Sequence, residues 1–334
     1  MSMERELYKV SVIVPVYNVE KFIERCVISL FRQTLEDVEF IFVDDSTPDQ
    51  SMELLMKLMA EYPHRKADCV VLKHESNRGL PAARNTGLAV ARGKYIFHMD
   101  SDDFAEPDML RDLYAAAEQL QADLVWSDWF LSYQEKERYM PQPNCKTPKE
   151  ALEAVLSGTM KYNVWNKLIR RSLYDDEGIL FPEGYSMGED MTIIKLMACA
   201  KSVAYVPHAY YHYVRTNSGA MTASWSEKHL ADINHNVGET IGFIRRKFGE
   251  KFDLYLEYFK LSIKLPLLIS DDFQMYRLWS DWYQESNRFI WKNKSVCFRT
   301  RTLQWFAWKK QYWVLWLYNK ILQEFVYKLI LGYK

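Results

Sequence analysis

Tyr95-Ile96-Phe97-His98-Met99-Asp100-Ser101-Asp102-Asp103 is an apolar run that ends in three carboxylates within four residues. The run reads as a strand, and like charges this close repel, so the fold gains nothing from them unless a cation or a set of donors compensates. A hard divalent ion does so. Oxygen-only ligation suits magnesium or manganese, and magnesium shares itself between one or two carboxylates and a substrate's phosphates. Asp and Ser also populate turns and helix caps, and Asp108 ahead of Met109 can start a helix, so an acidic turn is the competing reading of this stretch alone.

A second acid pair shifts that balance. Phe40-Ile41-Phe42-Val43 is another apolar run, and it ends in Asp44-Asp45 before the polar turn Ser46-Thr47-Pro48-Asp49. Two strands that end in carboxylates on one edge describe a site, because open α/β sheets bind ligands beyond the carboxyl ends of their strands. Working outward, residues 10–16 read as a buried first strand leading into Pro15-Val16-Tyr17-Asn18. Val19, Phe22, Ile23, Cys26, Val27, Leu30 and Phe31 then fall on one helical face. Further helices are expected over 50–62, ended by Pro63, and over 82–91, stopped by Gly93, with a strand at 69–72 between them. A helix at 109–121 and a strand at 124–129 follow the acidic run.

This alternation predicts an α/β fold, a mostly parallel sheet flanked by helices, over about the first 130 residues. Residues 133–147 are polar and read as a loop or hairpin. Beyond them come a helix at 148–156, a strand at 164–169, a helix at 190–200 and short strands at 203–206 and 210–214. From Ser226 the pattern is helical almost throughout. The expected division is therefore a sheet-bearing domain over 1–222, with halves 9–130 and 131–222, and a mainly helical C-terminal region over 223–334.

The 334 residues carry 43 Lys and Arg against 44 Asp and Glu, a balance that argues against a dedicated nucleic-acid binder. From Ile290 onward, however, nine basic residues face one acid. Five scattered cysteines without a C-x-x-C pair suit a reducing, cytoplasmic location. The charged start Met1-Ser2-Met3-Glu4-Arg5-Glu6 predicts no signal peptide. The longest apolar candidate, 312–318, falls short of the roughly 20 residues a membrane helix requires.

Several chemistries fail. No G-x-G-x-x-G follows the first strand, and the segment from Gly87 to Gly93-Lys94-Tyr95 misses the phosphate-loop spacing and sits at a helix end. No Ser/His/Asp order or metal-binding His pair stands out.

In order and spacing, Ser11-Val12-Ile13-Val14-Pro15-Val16-Tyr17-Asn18, Phe42-Val43-Asp44-Asp45-Ser46, Asn77-Arg78-Gly79, Ala83-Arg84-Asn85, Gly93-Lys94-Tyr95-Ile96 and Asp100-Ser101-Asp102-Asp103 resemble the family 2 glycosyltransferases of the A-type fold. The resemblance implies that Pro15, Tyr17 and Asn18 receive the nucleotide base, with Tyr17 offering a stacking face. It implies that Asp45 bonds a uracil ring or ribose, with Asp44 holding the loop. Arg78, Arg84 and Asn85 fall in the segment that closes over the nucleotide, where an Arg fork suits pyrophosphate or ribose oxygens; a surface charge is the other reading of Arg84.

Asp100 and Asp102 form the D-x-D pair beside Ser101. Asp102 is the first choice for binding Mn2+ or Mg2+, Asp100 for ribose or a water-mediated metal contact, and Asp103 for orientation. Gly188-Glu189-Asp190 resembles the family's acidic motif at a helix start, preceded by Trp165-Asn166-Lys167-Leu168-Ile169-Arg170-Arg171. An inverting transfer requires a base opposite the leaving group, so Asp190 is the candidate base and Glu189 the alternative. Complementing the helix dipole is the competing role for that pair. Glu183-Gly184-Tyr185 is placed to shape the acceptor side. In Tyr210-Tyr211-His212-Tyr213-Val214-Arg215, followed by Ser218, His212 is a candidate to complete the metal shell and Arg215 to clamp a phosphate; an aromatic strand packed under the sheet is the alternative.

The implied activity is an inverting, metal-dependent transfer from a nucleotide sugar, expected to be a UDP-sugar, to a glycan or lipid-linked acceptor. A nucleotidyltransferase is the second enzyme class, though Pro15-Val16-Tyr17-Asn18 is not its Gly-rich basic signature. A nucleotide-sugar-binding scaffold without turnover is the third reading. In the tail, Trp305, Trp308, Trp313 and Trp316 accompany Lys309, Lys310 and Lys320, with Ile321, Leu322, Phe325, Leu329 and Ile330 continuing at helical spacing. Peripheral contact with the cytoplasmic face of a membrane, packing on the catalytic domain, and a homodimer interface are the three readings of that pattern.

Overall fold

β1 (Tyr8–Val16) buries every residue from Val10 onward, and β2 (Val38–Asp44) is buried throughout. Continuous apolar runs of this kind are what strands covered on both faces require. In the computed structural model, which describes residues 8–133, 136–185, 188–215 and 226–322, these strands lie in a parallel half-sheet. β2 pairs with β1 and with β3 (Cys69–Lys73), while β4 (Gly93–His98) pairs with the other side of β1. α1 (Ile23–Phe31), α2 (Ser51–Glu61), the short α3 (Pro63–Lys66) and α4 (Leu80–Val90) supply the crossovers. α1 buries Ile23, Cys26, Val27, Leu30 and Phe31, the face its spacing predicts.

Parallel pairing brings three strand ends to one edge. Val16 is level with Asp44, and the Met99 amide donates to the Ile13 carbonyl at 3.0 Å. Tyr17, Asp45 and Asp100 therefore follow strands that finish side by side.

Beyond β4 the pairing changes. β8 (Lys167–Arg170) is antiparallel to both β4 and β6 (Leu124–Ser132), and β9 (Val203–Val214) runs parallel to β6. β5 (Phe104–Ala105) is antiparallel to β9, and β7 (Glu137–Met140) forms a hairpin with β6 inside the stretch expected to be loop or hairpin. The order is β3-β2-β1-β4-β8-β6-β9-β5, so the sheet as a whole is mixed. The parallel character predicted from β-α alternation holds over β3-β2-β1-β4, where helical crossovers join the strands, while β8 enters the sheet antiparallel to both its neighbours and β6–β7 is a short hairpin.

Helices α5 (Met109–Leu120), α6 (Pro148–Ser157), α7 (Arg171–Glu177) and α8 (Glu189–Cys199) complete the order up to β9. α7 and β5 are too short to leave a periodic signal. The two strands expected at 203–206 and 210–214 form one 12-residue strand. Its register with β6 skips from Ser127↔Val206 to Asp128↔Ala209, so Pro207 and His208 bulge out exposed, and the proline interrupts no ladder bond.

Contacts divide the chain into two units, Met1–Leu152 with Tyr162–Phe243, and Glu153–Lys161 with Ile244–Lys334. The first holds the sheet. Its limit lies within α9 (Glu227–Phe248), beyond the expected limit at residue 222. The second is helical, with α10 (Asp253–Lys264), α11 (Phe273–Asp281), α12 (Phe298–Trp308) and α13 (Tyr312–Ile321) around Leu256, Phe259, Tyr276, Trp279 and Ile290. Among the described residues no helix is long and apolar enough to cross a membrane.

Candidate active site

At the end of β1, Pro15 is buried opposite Val43, whereas Tyr17 is 47% exposed. Asn18 takes a positive φ of 54°, and its amide donates to Thr47 Oγ1 at 2.8 Å. An Asn tolerates that left-handed backbone better than most residues. The neighbouring turn is tied by Asp44, whose Oδ1 accepts from the Thr47 amide at 2.8 Å.

Asp45 also holds a loop. Its Oδ1 accepts from the Arg78 amide at 2.8 Å and meets His74 Nδ1 at 2.6 Å, and its Oδ2 accepts from the Gly79 amide at 2.8 Å. Gly79 has a φ of 87° at the entry to α4, a conformation that glycine adopts without a Cβ clash. Asp44 at the end of β2 and Asp45 after it thus shape the loops around the strand ends.

Arg84 is only 2% exposed, which removes the surface-charge reading. From α4, its Nη2 donates to Asp100 Oδ1 at 2.7 Å, and its guanidinium lies 5.6 Å from the Phe181 ring centre. Next to it, Asn85 Nδ2 donates to the Phe181 carbonyl at 2.9 Å and to Glu183 Oε1 at 3.1 Å, while Asn85 Oδ1 accepts from the Phe181 amide. Arg78 Nη2 donates to Glu183 Oε2 at 3.0 Å. The segment carrying Arg78, Arg84 and Asn85 is therefore joined both to the acidic turn and to the stretch that leads toward Glu189 and Asp190.

The acidic turn is built around Asp103, which is fully buried. Its Oδ2 accepts from Tyr211 Oη at 2.7 Å and its Oδ1 from the Val214 amide at 2.7 Å, pinning the turn to β9. Burial first, then the charges of Asp102 and Asp100, push the Asp103 carboxyl well above the usual range. Tyr211 also accepts from the Asp100 amide at 3.2 Å, and the Asp102 carbonyl accepts from Arg25 Nη2 at 3.1 Å. Ser101 is buried, and Asp100 and Asp102 are half-buried.

Three carboxylates in one turn concentrate negative charge, which adds to burial in displacing Asp103 upward. Asp100 and Asp102 fit a hard cation that takes its remaining ligands from water and phosphate. Among the described residues no group of three or more His, Cys, Asp or Glu forms a closed metal cage.

His212 lies elsewhere in the network. Its Nδ1 is 2.6 Å from Glu137 Oε1, its Nε2 is 3.0 Å from Glu106 Oε1, and its ring stacks 4.1 Å from Phe104. Both nitrogens thus face protein carboxylates, Glu137 and Glu106. Arg215 is exposed at the end of β9, and its amide donates to the Ser132 carbonyl. Ser218 lies outside the described residues.

Glu189 and Asp190 open α8, after Gly188 at its N-cap. A Cβ on Gly188 would stand 2.1 Å from the Asn236 side chain, so glycine permits the close approach of α9. Just before it, Tyr185 stacks on His235 with centroids 3.8 Å apart.

The aromatic strand offered as the alternative reading of residues 210–215 forms a floor under the turn, and what sequence reasoning missed is its stacking on Trp165 and, through it, Trp129. Trp165 stacks on Tyr211 at 4.4 Å and on Tyr213 at 5.3 Å, with Trp129 edge-on to Trp165 at 5.0 Å. The period-2 alternation of Tyr211 and Tyr213 was the available signal, since strand residues two apart share a face. Glu106 and Glu137 left none, because their meeting at His212 depends on β5 and β7.

A half-sheet whose parallel strands end in acids, a D-x-D turn and a mixed second half are the features of an A-type glycosyltransferase fold. The S. aureus TarS fragment 1-349 solved in complex with UDP superposes with a TM-score of 0.65 at 21% identity, covering 95% of this chain and 91% of that one. The mannosyltransferase PcManGT from Pyrobaculum calidifontis, solved with GDP-Man and Mn2+, gives 0.53 at 15% identity over 91% and 87%. The sequence model of glycosyl transferase family 2 matches residues 11–181, and the chain belongs to that family.

Among curated relatives, the uncharacterized glycosyltransferase EpsJ of Bacillus subtilis (strain 168) is 36% identical over 222 residues, 64% of this chain and 62% of that protein. The putative glycosyltransferase EpsH of the same strain is 32% identical over 61% of this chain and 60% of its own length. The chain thus spans about three-fifths of these relatives. The poly(ribitol-phosphate) beta-glucosyltransferase of Bacillus spizizenii is 29% identical over 65% of this chain and 34% of its length. These curated relatives are named as glycosyltransferases, and the minor teichoic acid biosynthesis protein GgaB of Bacillus subtilis (strain 168) is 26% identical over 79% of this chain and 30% of its own length.

Proposed function

We propose that this enzyme moves a sugar from a UDP-sugar, with inversion and with a divalent metal, onto a glycan or lipid-linked acceptor of a cell-surface polysaccharide. The observation that carries the reading is the convergence of Tyr17, Asp45, Arg84 and the Asp100–Asp102 turn on one sheet edge. The TarS fragment has been solved with UDP and with UDP-GlcNAc, which supports a uridine donor.

In this reading Tyr17 stacks on the base, and the turns after β1 and β2 receive base and ribose. Arg78, above the loop that Asp45 holds, faces the diphosphate. Asp102 would hold Mn2+ or Mg2+, with Asp100, oriented by Arg84, placed for ribose or for a water-mediated contact to the ion. Bound there, the metal would offset the charge that develops on the departing nucleoside diphosphate. His212 serves the turn from outside, steadying β5 and the β6–β7 hairpin through Glu106 and Glu137. Asp190, with Glu189 as the alternative, takes the proton of the acceptor hydroxyl as it attacks the anomeric carbon. The enzyme works on the cytoplasmic side, peripheral to the membrane.

A thermal-shift panel of nucleotide sugars with and without manganese tests the donor. A manganese-dependent rise with a UDP-sugar is the expected result, and an equal response to every nucleotide, indifferent to metal, would overturn it.

A further inference from the structure

The second unit carries an outward face that the transfer chemistry does not use. On α13, Leu315 and Asn319 are buried while Trp313, Trp316, Leu317 and Ile321 are exposed, Trp313 by 61%. Offsets of three, four and eight residues put those four side chains on one stripe.

Rotation of the helix is fixed by its buried side. Asn319 Nδ2 donates to the Leu268 carbonyl at 2.8 Å, the Ser270 carbonyl at 2.6 Å and Tyr276 Oη at 2.9 Å. Lys320 pairs with Asp271 at 3.0 Å. A buried amide with these partners cannot turn outward without leaving polar groups unmatched, so the aromatic stripe is held toward the surroundings. Contiguous apolar exposure of this kind marks a contact surface.

Charge identifies the contact. From Ile290 to Leu322 there are seven Lys and Arg residues and no Asp or Glu. Lys309 and Lys310, exposed, lie just ahead of Gln311 at the N-cap of α13, and exposed Phe298 and Trp291 carry Arg301 within 6.0 Å and 5.9 Å of their rings. Tryptophan beside lysine is the composition of an interfacial helix, with rings at headgroup depth and cations on anionic phosphates.

The geometry points to an anionic lipid surface as the partner of this face, with α13 lying in the membrane interface. The inference rests on the peripheral placement proposed above and is independent of the donor and base assignments.

Co-sedimentation of the full chain with vesicles of phosphatidylcholine alone, or containing phosphatidylglycerol, tests it, with turnover and oligomeric state measured in parallel. Wild type should pellet with the anionic vesicles and stay soluble with the neutral ones. Trp313→Ala/Trp316→Ala should lower anionic binding roughly tenfold, and Lys309→Gln/Lys310→Gln should weaken it and its salt dependence. Both variants should keep wild-type turnover on a soluble acceptor, whereas failure of the donor reading would show as absent turnover in every protein. Equal pelleting of wild type and the tryptophan variant would overturn the inference. So would a wild-type dimer that the tryptophan substitutions dissociate in the absence of any vesicle binding, since the face would then belong to a second copy.

Discussion

Arg84, almost wholly buried in α4, donates to the Asp100 carboxylate at 2.7 Å and thereby couples a crossover helix to the acidic turn after β4. Truncating one partner of such a pair leaves the other without its counter-charge. Arg84→Ala should lower unfolding free energy by about 3 kcal/mol and turnover by roughly a hundredfold. Arg84→Lys should recover most of the stability but not the rate, because an ammonium cannot reproduce the planar guanidinium that reaches Asp100 Oδ1 beside the Phe181 ring. Urea unfolding alongside kinetics separates the two effects.

Asp102 and Asp103 are adjacent but should fail differently. Asp102→Ala should keep the melting temperature and abolish transfer, with the metal-dependent part of UDP binding lost in calorimetry. Asp103→Ala should unfold more easily by roughly 2–3 kcal/mol, because Tyr211 Oη and the Val214 amide lose their acceptor.

Glu183 bridges Arg78 and Asn85 from the far side of the site. The Arg78 pair is half-exposed, so Glu183→Ala should cost no more than about 1 kcal/mol. It should raise KM for the donor more than it lowers kcat, since the bridge positions a loop. An unchanged KM in steady-state kinetics would show that the loop holds without it.

For the base, Asp190→Asn should lower kcat by roughly a thousandfold while leaving UDP affinity intact. Glu189→Gln should do so instead if the alternative acid acts. Calorimetry with UDP and single-turnover transfer distinguish them.

Lys264 gives the pH prediction. It is buried in the second unit beside Trp279, donates to the Trp282 carbonyl and Asn287 Oδ1, and burial lowers its ammonium from 10.5 to about 7. Between those values the unfolded chain holds a proton that the folded one lacks, so stability rises with pH from about 7 to 10.5 and levels off below 7. In Lys264→Met this slope should be absent from denaturant titrations over that window.

The parallel half-sheet was legible because burial on both faces requires unbroken apolar runs, and the helical face of α1 because a 3.6-residue period shows in sequence. The acids at the ends of β2 and β4 were legible for the same reason, since a strand's end is visible where its apolar run stops. The Pro207 bulge, β5 and α7 were not, because elements this short have no period and a bulge is defined by its partner strand.

Sequence alone determined that acids follow two apolar strands and that the segment beyond Ile290 is basic and aromatic. Only the tertiary structure decided that Arg84 is buried against Asp100, that Asp103 anchors β9, and that His212 faces Glu106 and Glu137. Those relations join residues 16 to 111 positions apart. Side-chain charge is written locally, but which charges meet depends on sheet order and register, and these are settled by packing.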